Sequence, residues 1–446
     1  MKRRTDRREF LKTSAVIGAG YFTAAGLQAK ESTSALETIR FGCIGVGGGK
    51  GESDTRDASD PKHNAKIVAL CDVDDKILNG SLKKYEQAKG FNDFRKMLEE
   101  MDKEIDAVTV TTPDHMHAPI ASMAMQMGKH CYCQKPLTRT IYEARRLGEI
   151  ARETKVVTQM GNQGTAADSL REAAAVIQSG ALGTVKEVHV WTDRPVWPQG
   201  GPRPPKGPVP PAELHWDLWL GVSPQRDFFP GAYHTFKWRG WWDFGSGALG
   251  DMACHTFNMP YMALDLRDPT SVVAETSGHN RDSFPAWSVI NFEFPGNDKR
   301  PPVKCVWYDG GKLPDKELFD GEVPNKAGTL IIGDKGKLYA PGDYADDGLK
   351  LLGGIEKPAV EWIHSDGHFK ELTDAIKGGP TPRSNFPDYS GPLTETILLG
   401  NLAVWAAPDA GTGKKIEWDA KNLVATNAPE VMSLVKPTYR EGYTQI

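Results

Sequence analysis

The chain has 446 residues, a formal net charge of −4 and six cysteines. This length accommodates two domains with sizeable cores. The small acidic excess does not favour nucleic acid or an anionic membrane as a partner, and no apolar run after the N-terminus reaches membrane-spanning length.

The N-terminus carries a targeting pattern. Arg7 and Arg8 form a twin-arginine pair before Phe-Leu-Lys, and a mildly apolar stretch follows at 14–27. Such a pattern directs export. We therefore predict a signal segment at 1–30, a periplasmic or otherwise exported protein, and no membrane anchor after cleavage. Four cysteines lie in predicted strands, where we expect buried thiols rather than essential disulfides.

A predicted strand at 38–44 runs directly into a glycine-rich turn at 45–51. A strand that meets such a turn typically opens a dinucleotide-binding fold, because glycines let the backbone approach the pyrophosphate. The pattern G-x-G-x-x-G is incomplete, since Lys50 stands in the third position and Gly51 follows one residue late. The glycines predicted to contact the cofactor are Gly45, Gly47 and Gly48.

Asp72 follows the next predicted strand, at 66–70. A carboxylate at this point can bind the ribose 2′-hydroxyl and repels a 2′-phosphate, so the sequence favours NAD over NADP. The alternative is that Asp72 only caps the end of the strand.

A βαβ unit follows, with strands at 107–111 and 130–133 around a helix at 119–128. Ligands in parallel sheets bind beyond the carboxyl ends of the strands. Lys135 stands at one such end beside Pro136, which makes it the first catalytic candidate. The alternative is a surface lysine in a loop. Further helices and strands predict a doubly wound sheet of about five strands.

The character of the sequence changes after residue 160. A polar loop at 160–164 contains Asn162, and a segment at 194–211 holds eight prolines. Seven of the twelve tryptophans lie between 191 and 242. We expect most of them to pack loops onto the core and one or two to line the site. From 271 onward, the alternation predicts a large, open and mostly antiparallel sheet, which favours a homo-oligomer.

Asp251 and His255 belong to the second chemical stretch, GALGDMACH. On a helix, residues four apart share a face, so the carboxylate could orient the histidine as a general base. The alternative is an ordinary ion pair on a helix surface. His115-x-His117 lacks the ligand spacing of a metal site, and we predict no metal.

In order, the motifs are IGVGGGKG, ALCDVD, FNDFRKML, TTPDHMHA, QKP, KWRGWW and GALGDMACH. As a set, they resemble the glucose–fructose oxidoreductase and inositol dehydrogenase family (Gfo/Idh/MocA) in its exported, twin-arginine form. The resemblance implies a Rossmann domain followed by an α/β domain, which we assign to 38–160 and 161–446. The sequence departs from the family pattern at residue 134, where Gln134 stands in place of the usual glutamate.

The resemblance also implies roles for individual residues. Lys135, Asp251 and His255 would be catalytic, with a cis bond before Pro136. Cofactor contacts would come from the glycines and Asp72 on the adenosine side. The residues expected toward the nicotinamide are Thr112, Pro113, His115 and His117, and those expected toward the substrate are Asn162, Trp238 and Arg239.

The function that follows is hydride transfer between tightly bound NAD and a CH–OH group of a sugar, glycoside or polyol. A second possibility is a redox-neutral glycosidase or lyase that works through a transient keto-sugar. A third is a non-catalytic protein that binds NAD or sugar. The sequence does not decide which sugar is used.

Overall fold

Two β-sheets organise the part of the chain described by the computed structural model, residues 38–446. The predicted signal segment at 1–30 lies outside these residues. Residues 39–446 form one compact unit, and the boundary predicted at 160/161 stays a prediction. Within 38–446, no helix is long and apolar enough to cross a membrane.

The first sheet is parallel, with the strand order β3-β2-β1-β4-β5-β6. Its strands are β1 (Ile39–Ile44), β2 (Ala65–Cys71), β3 (Lys89–Phe91), β4 (Ala107–Val110), β5 (His130–Cys133) and β6 (Thr158–Met160). The helices connecting them are α1 (Lys50–Ala58), α2 (Asp75–Leu82), α3 (Phe94–Glu100), α4 (His117–Gln126) and α5 (Ile141–Thr154). The order reverses between β1 and β4, so a crevice opens at their carboxyl ends.

The second sheet is mostly antiparallel, with the order β13-β12-β11-β7-β10-β9-β8-β15-β16, and β14 pairs with β8. Its strands are β7 (Val185–Trp191), β8 (Ser271–Ser277), β9 (Ser288–Phe294), β10 (Val303–Tyr308), β11 (Gly328–Gly333), β12 (Lys337–Pro341), β13 (Lys350–Leu352), β14 (Ala410–Thr412), β15 (Ile416–Asp419) and β16 (Val424–Ala425). The remaining helices are α6 (Asp168–Gln178), α7 (Trp216–Leu220), α8 (Gly247–Thr256), α9 (Asn258–Leu264), α10 (His368–Ile376), α11 (Gly391–Trp405) and α12 (Met432–Val435). Within this second sheet, as described for residues 38–446, β7 and β10 are the only strands that pair in parallel.

Local sequence explains the best-defined elements. Helix α5 begins with a capping box in which Thr140 and Glu143 satisfy each other's backbone N–H groups. Strand β4 reads AVTV and is buried on both faces, as a central parallel strand must be. The predicted class, a doubly wound parallel sheet followed by a mostly antiparallel one, is confirmed. The parallel sheet has six strands, one more than the predicted number of about five. The additional strand is the short β3, which was not predicted.

The tryptophan-rich segment forms no long helix or strand. Trp216 and Trp219 stack with ring centroids 4.6 Å apart, and Trp241 packs against Tyr233 at 5.3 Å. These rings form a small apolar core of their own beside the first sheet. The prediction that most tryptophans serve packing is therefore confirmed. All six cysteines lie in the described residues as buried free thiols.

Gly51 lets helix α1 pack tightly against the end of β1. A Cβ at this position would lie 2.4 Å from the carbonyl oxygen of Gly45 and 2.8 Å from the carbonyl carbon of Val46. Backbone atoms cannot move aside as a flexible side chain can. Close helix–strand packing is the role of the third glycine in G-x-G-x-x-G. Gly51 takes that role one residue late.

We predict that Gly51→Ala destabilises the protein by about 1–3 kcal/mol, because the added methyl group overlaps backbone atoms. Gly80→Ala is the matched control, since Gly80 is an exposed helical glycine with no atom within 4 Å of the added Cβ. The control should gain about 0.5–1 kcal/mol. Urea unfolding measures both, and equal stability of the two variants would contradict the packing role.

Candidate active site

A cleft lies along the carboxyl edge of the parallel sheet. It encloses about 1220 Å³, part of it open to solvent. Nine of the predicted site residues line it: Gly45, Gly47, Gly48, Asp72, Thr112, Pro113, Lys135, Trp238 and Arg239. The outer wall comes from the segment 218–239 and from Tyr443 near the C-terminus.

The glycine turn shapes one end of the cleft. Gly45 has φ +78°, and a Cβ there would lie 2.5 Å from the carbonyl oxygen of Thr111. Around Gly48 no atom lies within 4 Å of an added Cβ. Helix α1 starts at Lys50 and directs its N-terminus at this turn, where Lys50 and Gly51 donate their N–H groups to the carbonyl oxygens of Gly48 and Gly47, both at 2.9 Å. Such a cradle fits the pyrophosphate of a dinucleotide.

Asp72 serves the turn directly. Its Oδ2 accepts the backbone N–H of Val46 at 3.0 Å, and its Oδ1 accepts that of Asp74 at 3.0 Å. Burial raises the pKa of Asp72 to about 6, although these backbone hydrogen bonds oppose the rise. Each oxygen keeps a second lone pair for a ribose hydroxyl. Asp72 therefore caps the strand end and also lines the cleft.

Lys135 lines the cleft and pairs with Asp251, which, like His255, is not among the lining residues. The Lys135 Nζ donates to Asp251 Oδ1 at 2.9 Å and to the Asp251 carbonyl oxygen at 2.7 Å. The Lys135–Pro136 bond is cis, as the resemblance implied. The same Oδ1 accepts from Arg239 Nε at 3.0 Å. One carboxylate thus joins the end of β5, helix α8 and the turn at Lys237–Gly240.

Two cations hold Asp251 ionised. Burial would raise its pKa, but the charges of Lys135 and Arg239 outweigh it and lower the pKa to about 2. The Arg239 guanidinium lies 4.3 Å from the Trp238 ring centroid and 4.7 Å from that of Phe236. Cation–π contacts of this kind favour a protonated, well-oriented side chain. Arg239, predicted only as a substrate residue, is therefore a direct partner of Asp251.

His255 lies one helical turn after Asp251 but makes no hydrogen bond with it. Its Nδ1 is buried without a hydrogen-bond partner among residues 38–446. Burial, with the nearby charge of Lys135, holds the pKa of His255 well below its usual range. Lys135 and Arg239 share Asp251 Oδ1, and no hydrogen bond within residues 38–446 lets Asp251 orient His255 as expected.

His115 and His117 are not among the residues that line the cleft, and their predicted position toward the nicotinamide stays a prediction. The ring nitrogens of His115 face the carbonyl oxygens of Trp219 and Phe244, at 3.0 and 3.3 Å. Those of His117 face the carbonyl oxygens of Pro136 and Thr112, both at 2.8 Å. Burial lowers the pKa of His115 to about 3 and that of His117 to about 4. Both rings join backbone segments.

Asn162 is buried behind the cleft, where its Oδ1 accepts a hydrogen bond from Ser384. Its Nδ2 has no hydrogen-bond partner in the described chain.

Asp114 is a cleft residue that the sequence reasoning missed, although it stands in the motif TTPDHMHA. It accepts from Ser246 Oγ at 2.6 Å, and burial raises its pKa to about 7.

Gln134 has a partner that explains the missing glutamate. Its Nε2 donates to Asp54 Oδ2 at 2.8 Å, and Thr111 Oγ1 donates to the same oxygen at 2.9 Å. Asp54 is fully buried, and the Lys50 Nζ lies 2.9 Å from its Oδ1. Burial raises the pKa of Asp54 despite these partners. One carboxylate is already present here, so a second at residue 134 would repel it.

No group of three or more His, Cys, Asp and Glu side chains in residues 38–446 is arranged to hold a metal ion. The cleft does fit a dinucleotide: it combines the glycine cradle, the Asp72 carboxylate and a buried Thr112 Oγ1 that lacks a hydrogen-bond partner.

Comparisons with known proteins agree with this geometry. One family model, an oxidoreductase family with an NAD-binding Rossmann fold, matches residues 39–162. A second, the C-terminal alpha/beta domain of an oxidoreductase family, matches residues 170–445. Both carry the Gfo/Idh/MocA designation.

Individual relatives match over shorter stretches. Inositol 2-dehydrogenase of Salmonella typhimurium is 27% identical over 154 residues, 34% of this chain and 45% of the relative. Levoglucosan dehydrogenase of Pseudarthrobacter phenanthrenivorans is 27% identical over 168 residues, 38% of this chain and 35% of the relative. These matches therefore span less than half the length of either relative.

The fold also resembles solved structures. An inositol dehydrogenase homologue from Azotobacter vinelandii, solved with NADH and myo-inositol, superimposes with a TM-score of 0.56. It is 17% identical, and the match covers 86% of this chain and 98% of that one.

We predict that Gln134→Glu destabilises the protein by about 3 kcal/mol at pH 8, because it buries two facing carboxylates. Repulsion raises their folded-state pKa values, so the folded state binds an extra proton as the pH falls. The penalty relative to the unsubstituted protein should therefore shrink toward pH 5. The double variant Asp54→Asn/Gln134→Glu keeps one acid and one amide and should recover most of the stability. Urea unfolding at both pH values tests this, and a double variant no better than the single one would contradict it.

Proposed function

Because the chain belongs to the Gfo/Idh/MocA oxidoreductase family, with its NAD-binding Rossmann fold, we propose that it transfers hydride between NAD and a CH–OH group of a sugar, glycoside or polyol. One observation carries the proposal. The Lys135 Nζ lies 2.9 Å from Asp251 Oδ1 in the same cleft as the glycine turn. A cation held at the sheet edge beside a dinucleotide cradle suits the oxygen of a reacting alcohol.

When bound, NAD supplies the hydride acceptor. Lys135 donates a hydrogen bond to the alcohol oxygen and stabilises negative charge as the C–H bond breaks. Asp251 accepts two hydrogen bonds from Lys135, through its Oδ1 and its carbonyl oxygen. These contacts aim the ammonium group. Arg239 fixes the position of Asp251 from the other side.

His255 receives the hydroxyl proton in this mechanism. A general base must be unprotonated at the working pH, and burial keeps His255 in that form. Its Nδ1 makes no hydrogen bond in the described chain, so no residue of 38–446 already holds that nitrogen.

Tight retention of the cofactor is part of the proposal. The wall of the cleft is held by contacts on both sides. Asp75 N–H donates to the Glu213 carbonyl at 2.9 Å, and His215 N–H donates to the Val73 carbonyl at 2.9 Å. Near the C-terminus, Arg95 lies 4.8 Å from the Tyr443 ring centroid. Opening the cleft requires these contacts to break.

Export and self-association complete the proposal. The twin-arginine pair at Arg7 and Arg8 favours transport of a folded protein that already carries its cofactor. The ten-stranded sheet offers a broad surface for a second copy of the chain. Size-exclusion chromatography with light scattering of the mature protein measures how many copies of the chain associate.

The first test uses mature protein purified without added nucleotide. We expect bound NAD, and we expect one of myo-inositol, D-glucose, levoglucosan or L-sorbose to produce stable absorbance at 340 nm. Lys135→Ala should lower that rate by about 10²–10⁴-fold. Transient absorbance during cleavage of a glycoside would instead indicate redox-neutral chemistry. Nucleotide binding with no sugar-dependent signal would indicate a non-catalytic protein.

The second test addresses the base. We expect His255→Gln to lower kcat by about 10²–10⁴-fold. Since the pKa of His255 is held well below 6.5, protonation should stop the reaction only at a pH well below that value. Asp72 and Asp114, with pKa values of about 6 and about 7, can also shape the wild-type kcat/KM profile, but no inflection near 6.5 should depend on His255. His364→Gln changes an exposed histidine and is the matched control. An inflection near 6.5 that vanishes in His255→Gln would contradict the buried, neutral base.

A further inference from the structure

The loop between β12 and β13, residues 342–349, reaches the proposed base. The ring centroid of Tyr344 lies 4.7 Å from that of His255, with 57° between the planes. On its other side, a Cβ placed on Gly164 would lie 3.8 Å from Tyr344 Cδ1. The aromatic ring therefore stands between helix α8 and the turn at Gln163–Ala166. No motif in the sequence pointed to this loop.

Buried polar atoms around this ring lack partners. His255 Nδ1 and Asn162 Nδ2 make no hydrogen bond in the described part of the chain. Asn162 stands two residues before Gly164, and its Oδ1 is already held by Ser384. An unpaired buried polar atom costs free energy, so native proteins rarely leave one without a function.

Asp343 gives the loop a charge. Its Oδ1 accepts a hydrogen bond from Thr192 Oγ1 at 3.0 Å, which fixes the carboxylate at the end of β7. Oδ2 makes no hydrogen bond with any described residue. Burial and the negative charge of Asp251 are among the influences that raise the pKa of Asp343. The charge of Arg194 opposes this rise in pKa. Arg194 is paired with Asp193, and Lys135 and Arg239 are paired with Asp251, so none of these cations forms a described ion pair with Asp343.

We infer that residues 342–349 form the substrate-recognition loop, in which Tyr344 packs against the apolar face of an uncharged sugar or polyol and Asp343 accepts one of its hydroxyls. The inference rests on the proposed function and narrows its substrate class. Aromatic rings suit the C–H faces of sugars, and a half-buried carboxylate is a strong acceptor for hydroxyl groups. The same carboxylate repels a sugar acid. Wild-type protein should therefore bind D-glucose better than D-glucuronate.

The experiment measures binding separately from turnover. Protein loaded with NADH cannot oxidise an alcohol, and L-sorbose is left out because its ketone group could accept hydride from NADH. Calorimetric titration with myo-inositol, D-glucose, levoglucosan and D-glucuronate therefore reports the sugar site alone. Tyr344→Ala should weaken binding of the best neutral probe by about tenfold. Tyr344→Phe should stay within about twofold of wild type, because the ring is kept. Asp343→Asn should weaken binding of the neutral probe and reduce the difference in affinity between that probe and D-glucuronate.

Asp347→Asn is the matched control, since it removes the same charge from an exposed position of the same loop. NADH affinity, measured by fluorescence, should be unchanged in all four variants. Unchanged sugar binding in Tyr344→Ala overturns the inference, and so does wild-type protein that prefers D-glucuronate or binds none of the neutral probes. Hydride transfer is scored independently with NAD-loaded protein. Sugar binding without hydride transfer would refute the proposed function while the recognition loop stands.

Discussion

The site depends on a single buried carboxylate. Asp251 stays ionised because Lys135 and Arg239 both face its Oδ1, and those two cations come from different parts of the chain. Removing either cation would leave a buried charge with weaker compensation, which is costly in a low-dielectric environment. The geometry of the cleft therefore depends on three elements meeting at one atom. That meeting joins the parallel sheet to helix α8 and to the aromatic segment.

The histidines divide into two groups under the same physical rule. His115, His117 and His255 are all buried, and burial lowers the pKa of each. Both ring nitrogens of His115 and of His117 face backbone carbonyls, to which a neutral ring donates from one nitrogen, so these histidines organise loops. His255 Nδ1 makes no hydrogen bond in the described chain. The absence of a polar partner at one ring nitrogen, and not residue type or burial, distinguishes His255 from the other two.

The two departures from the family pattern each have a local reason. Lys50 replaces the third glycine of the turn, but Gly51 provides the close contact with Gly45 one residue later. Gln134 replaces a glutamate, and the buried Asp54 supplies a carboxylate 2.8 Å from the amide. In both cases the physical requirement is kept while the position that meets it moves. A motif search that compares single positions would report only that the glycine at residue 50 and the glutamate at residue 134 are missing.

The alternation of apolar and polar residues, together with the positions of glycine and proline, determined most of the fold. The strand at His130–Cys133 is found where it was predicted, and the helix predicted at 119–128 is found as α4 at His117–Gln126, two residues earlier at each end. Alternation and glycine stops are local signals. The carboxyl edge of the sheet also placed Lys135 and Asp72 at one cleft. Other contacts belong to the tertiary structure alone. The Asp251–Arg239 pair, the Asp54–Gln134 pair and the Tyr344–His255 contact join residues whose proximity no local pattern encodes. Local sequence sets which element forms, whereas packing between distant segments decides which side chains meet.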